Sequence, residues 1–166
     1  MANPKDPVPP EWKEGGLSYN TGLAFDTAKK MIDAAMSEAK KQGLTMVIAI
    51  VDAGGNLVAF GRMDDAMLAS IQIAMDKAFT AVYGKIPTHI WRSIVQSGNL
   101  PPLFIHERWT AFPGGFPIIK GKQLLGGIGC SGATAYGDTM VARAGLLAGE
   151  FSTEGANSFL KELKEG

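Results

Sequence analysis

The chain has 166 residues, 46% hydrophobic and 19% charged, and its 16 basic and 16 acidic side chains cancel to a formal net charge of zero. That length suits one domain with a real core, and the neutral balance offers no field to attract nucleic acid or an anionic membrane. One cysteine, Cys130, excludes an internal disulfide and a cysteine-built zinc cage.

Residues 1–16 carry four prolines among charged groups. They read as an extended N-terminal arm anchored by Trp12, ahead of a single domain over 17–166. The start has no apolar core of the signal-peptide kind, and no apolar run is long enough for a bilayer, so a cytoplasmic location is expected. The spacing of Ala24, Ala28, Met31, Ile32, Ala35, Met36 and Ala39 predicts a helix over 20–42, closed by Gly43. LTMVIAIV at 44–51 is a β-branched run of the kind that forms a strand buried on both faces. The turn signal DAGGN follows, and LVAFGRM at 57–63 returns as the second arm of a hairpin.

Further helices are expected over 66–83 and 87–97, then a loop-rich stretch over 98–117 with room for one short strand. A second hairpin, 117–120 with 123–130, turns at Gly121. A helix over 138–148 and an amphipathic tail with Phe159, Leu160 and Leu163 complete the chain. This order predicts an α+β fold, an antiparallel sheet with helices packed over it.

Ser70, Ala74, Lys77 and Ala81 share one face of the second helix. A face this small either packs closely on another backbone, with Lys77 reaching out to water, or forms a pocket wall that aims a cation at an anionic ligand. Arg62 ends the first hairpin. It either pairs with Asp64 or converges with Lys77 on a carboxylate, which a guanidinium binds in bidentate fashion.

Pro113-Gly114-Gly115 allows a tight turn or the close approach of a ligand to the backbone. The cluster Gly126–Gly132, which includes Ser131, does not open a helix as a dinucleotide fingerprint must, and there is no phosphate loop. His106-Glu107-Arg108 is the densest run of acid–base groups, with His106 and Glu107 as candidate proton carriers. His89 reads as structural and Cys130 as a core residue. No metal motif is present, so no metal site is expected.

Three stretches, IVDAGGNLVAFGRMDDAMLASIQIAMDKAFTA, FPGGFPIIKGKQLLGGIGCSGAT and DTMVARAGL, together resemble the GlcG/HbpS family. That family includes haem-binding HbpS-type proteins and the C-terminal domain of PduO-type proteins. The matching positions are Asp52, Gly55, Arg62, Asp64, Ser70, Lys77, Pro113, Gly114, Gly115, Ser131 and Gly132. The resemblance implies a profilin-like antiparallel sheet of about five strands flanked by helices. It also implies a homo-oligomer with ligand sites close to subunit contacts.

Some members bind haem or corrinoids; others resemble small lyases such as 4-hydroxylaminobenzoate lyase. The arm and the loop PPLFIHERWTAFPGG depart from the common family form, and that loop looks more like the lyase branch. The leading expectation is a cofactor-independent lyase that converts a hydroxylamino-aromatic carboxylate to a catechol acid, protocatechuate, and ammonia. His106 and Glu107 would supply acid–base catalysis, and Arg62, Ser70, Lys77, Gly114, Gly115 and Ser131 would bind the small aromatic carboxylate. The alternative is a haem or corrinoid carrier or sensor with His106 as axial ligand. A third is an accessory oligomer with a vestigial pocket.

Overall fold

Among the described residues five helices and four strands follow in the order α1 (Phe25–Lys41), β1 (Val47–Asp52), β2 (Leu57–Arg62), α2 (Ala69–Gly84), α3 (Thr88–Gln96), β3 (Gly115–Lys120), β4 (Gln123–Ser131), α4 (Ala135–Ala148) and α5 (Glu154–Glu165). These come from a computed structural model that describes residues 22–98 and 106–165, so the proposed arm and Trp12 lie outside the described residues. The strands form one antiparallel sheet in the order β2-β1-β4-β3. The α+β expectation holds.

The continuous apolar run of β1 has a direct cause. All six of its residues are buried, because helices cover both faces of the sheet. Ile48 and Ile50 point into the main core with Met31, Ala35, Ile128, Val141 and Leu146, between the sheet and α1 and α4. Val47, Ala49 and Val51 point the other way, under α2. The hairpin turn is fixed by Asp52, whose Oδ1 accepts from the backbone N–H of Gly54 at 2.8 Å and of Asn56 at 3.0 Å.

The small face of α2 lies on β4. A Cβ at Gly129 would run into the Ala74 carbonyl and the Ala78 amide, so glycine there lets the helix rest directly on strand backbone. Four strands stand where about five were expected. Ahead of β3, the N–H of Thr110 bonds to the hydroxyl of Thr80 on α2 at 3.0 Å rather than to another strand. Part of the 98–117 stretch lies outside the described residues.

Helix α4 starts three residues earlier than periodicity suggested, because Thr134 caps it by accepting from the Gly137 N–H at 3.3 Å. The tail is a full helix, α5, that buries Ala156, Phe159 and Leu160. Among the described residues no helix is long and apolar enough to cross a membrane.

Candidate ligand-binding site

Lys77 is 2% exposed, with its ammonium held between two oxygens: the Asp138 carboxylate (Nζ to Oδ2, 2.7 Å) and the Cys130 carbonyl (2.8 Å). Asp138 sits in the first turn of α4, where the free N–H groups favour a negative charge. Its other oxygen, Oδ1, accepts from the Ala133 N–H at 2.9 Å. Burial raises the Asp138 carboxyl above its ordinary range, against the pull of Lys77 and the backbone N–H donors. Burial also pushes the Cys130 thiol far up, so it stays protonated and inert.

The pair forms the floor of a cavity of about 320 Å³. Ser131 and Gly132 from the end of β4, Arg92 from α3, Phe112 and Pro113 from the loop, and Met67 ahead of α2 complete its walls. Ser131 donates to Ser70 across 3.2 Å, so both hydroxyls are tied into the buried part of the site. Met67 is 60% exposed and Phe112 62%, which gives the mouth an apolar rim. A second groove of about 440 Å³ adjoins it, sharing Arg92, Phe112 and Pro113.

Gly114 has φ +113°, and a Cβ there would press on Asp138 and on the Cys130 carbonyl, so glycine makes room for the ion pair. Gly115 is buried and donates its N–H to Thr88 Oγ1 at 2.9 Å, which is a structural use.

The predicted residues therefore divide. Lys77 and Ser131 reach the cavity, with Ser70 behind Ser131 and Gly114 behind the ion pair. Arg62 does not. It is exposed at the end of β2, opposite Val47 in the register, it is not among the cavity walls, and it makes no ion pair among the described residues.

His106 and Glu107 are not cavity residues either. His106 packs on Phe79 (ring centroids 4.7 Å) and Tyr83 (5.8 Å), and its Nδ1 accepts from the Arg108 N–H at 3.1 Å. Glu107 is exposed. Arg108 clamps this segment to α2: its guanidinium lies 4.2 Å over Phe79 and bonds to Asp76 at 3.4 Å. Trp109 meets Trp91 edge-on at 4.8 Å, so the aromatic wall at the cavity is Phe112 rather than Trp109.

Asp138 went unremarked in the sequence reading, although a signal existed. A lysine buried on a helix of small residues requires a counter-charge.

Residues 23–147 match the family model described as "Haem degrading protein HbpS-like", and the chain belongs to that family. It is 36% identical over 127 residues to a 15.0 kDa protein encoded between dhaT and dhaS in Citrobacter freundii, covering 75% of this chain and 89% of that one. It is also 36% identical over 129 residues to the corrinoid adenosyltransferase PduO of Citrobacter freundii. That match takes in 76% of this chain but only 38% of the longer enzyme. A solved structure of a PduOC:haem complex superposes with a TM-score of 0.75 at 31% identity, covering 79% of this chain and 97% of that one. Of the two cofactor expectations, none and haem, the family description and the PduOC:haem complex stand with haem.

The residues fit haem in part. The ammonium of Lys77, the guanidinium of Arg92 and the apolar rim suit a flat ligand with carboxylate groups. A histidine-ligated iron does not fit. His106 is not among the cavity walls; its ring packs on Phe79 and Tyr83, and its Nδ1 accepts from the Arg108 N–H. His89 is 7% exposed and stacked on Phe159 with centroids 4.2 Å apart.

Proposed function

We propose that this protein binds a haem-type tetrapyrrole as a carrier or sensor. In this reading Lys77 would hold a propionate in the cavity, and Arg92 and Phe112 of the adjoining groove would hold the flat apolar body. The observation that carries it is the buried Lys77–Asp138 pair at the floor of a cavity with an exposed apolar rim. The haem complex of a structural neighbour supports the choice of ligand. The iron takes no ligand from His106 or His89. The exposed Met67, Leu68 and Phe112 near the mouth support the expectation of a homo-oligomer that covers the rim.

Titration of the purified chain with haem should give a saturable change in the Soret band. Arg92→Glu should weaken binding about tenfold or more, as expected for reversing a charge beside a carboxylate. A Soret band indistinguishable from free haem at every ratio would overturn the reading.

One observation favours a second reading, the lyase. A volume of about 320 Å³ lies at the small end of ligand cavities and suits a one-ring acid. Under that reading Lys77 and Asp138, the titratable pair at the cavity floor, carry the acid–base chemistry in place of His106 and Glu107. Ammonia release from 4-hydroxylaminobenzoate by the purified protein tests it, and an absence of turnover removes it.

A further inference from the structure

The floor of the cavity is a neutral ion pair, not a bare cation. Lys77 Nζ spends two of its three protons on Asp138 and the Cys130 carbonyl, and among the described residues it makes no third hydrogen bond. Lys77 lines the cavity, so the remaining N–H is available to an incoming anion. Asp138 lines the same cavity, so that anion would meet a second negative charge beside the ammonium it seeks. Like charges sharing one buried site disfavour each other's ionised form.

Resting on the proposed binding role of this cavity, we infer that an organic anion enters it together with one proton, which Asp138 takes. The proton comes from solvent and goes to the Asp138 carboxyl, Lys77 stays an ammonium, and the anion takes the place of the aspartate as its counter-charge. The pocket therefore selects for acids delivered with a proton.

The surroundings of Asp138 support this. Lys77 on α2 is the charged group acting on it, and backbone N–H groups of Gly132 and Ala133 reach it from the β4–α4 turn. The Cys130 thiol on β4 stays protonated, and the Arg92 guanidinium on α3 lines the same cavity. Among the described residues that line the cavity, Asp138 is the carboxylic acid. Burial already raises its pKa.

The test uses benzenesulfonate, which stays ionised and cannot carry the proton itself, with benzoate alongside. Titration calorimetry in two buffers of different ionisation enthalpy measures the protons taken up. Above the Asp138 transition, uptake should approach one per anion, and affinity should fall about tenfold per pH unit. Asp138→Asn should abolish the uptake and flatten the pH profile.

Binding with no proton uptake in the unaltered chain would overturn the inference. So would an Asp138→Asn variant as pH-dependent as the parent, or a failure of both anions to bind. The buffer comparison needs no variant, so an unfolded Asp138→Asn chain would not decide the matter. Haem binding is read separately from the Soret band, so the two proposals fail independently.

Discussion

Lys77 and Asp138 meet at 2.7 Å from helices on opposite faces of the sheet, and both side chains are almost fully buried. The pair joins α2 to α4 around the end of β4, so it is a structural tie as well as the floor of a cavity. Removing one partner leaves the other charge buried and unpaired, which costs about 3–5 kcal/mol. Lys77→Met should lose stability of that order in denaturant titrations at neutral pH. The loss should shrink in acid, because the stranded carboxyl, already raised by burial, takes up a proton. A cost below about 1 kcal/mol, in the range of a surface pair, would show that the tie does not hold the two layers.

His89 gives a second pH dependence, of known sign. Burial against Phe159 lowers its pKa from 6.5 to about 4. Between those values the unfolded chain binds a proton that the native imidazole refuses. Stability should therefore rise with pH across this window, be complete above it, and be lost as pH falls through it. The full effect is roughly 3 kcal/mol. His89→Phe keeps the ring and removes the titration, so its stability should be flatter over the same range. An unchanged slope would assign the dependence to other groups.

Gly129 should tolerate no side chain. Alanine there meets the Ala74 carbonyl and the Ala78 amide on α2, and overpacking of this kind costs typically about 1–3 kcal/mol. The check is a thermal melt of Gly129→Ala beside Gly121→Ala. Gly121 has open space around its Cβ position and only its φ of +61° to resist substitution. Equal losses at the two positions would mean that helix-to-strand contact is not the constraint.

His106→Ala should leave haem affinity and the Soret spectrum within about twofold of the parent, because the ring packs on Phe79 and lies outside the cavity walls. Arg108→Ala should cost about 1 kcal/mol or less of stability by removing the cation over Phe79. A lost or shifted Soret band in His106→Ala would return that histidine to the iron.

Local patterns carried most of the fold. The LTMVIAIV run, the DAGGN turn and the stripe on α1 each occur within a few residues, and each appears in the structure as β1, its hairpin turn and a packed helix. The site was less legible because it depends on long-range partners. Lys77 was visible as a cation on a small-residue face, but Asp138, 61 residues away, gains its meaning only when β4 brings α4 alongside. On that face the backbone of Ala74 packs on β4 at Gly129, while Lys77 is buried against Asp138 rather than reaching water and lines the cavity. His106 misled for the same reason. A dense acid–base run shows chemistry but not direction, and here the ring turns toward Phe79.

The seat of α2 on Gly129 separates two kinds of sequence change. Because peptide groups meet there without intervening side chains, the spacing of α2 from β4 is set by main-chain dimensions. Substitutions at Ile48, on the other face of the sheet, can tune melting temperature while the backbone of α2 keeps its seat, whereas Val141 and Leu146 share α4 with Asp138 and act on the ion pair as well.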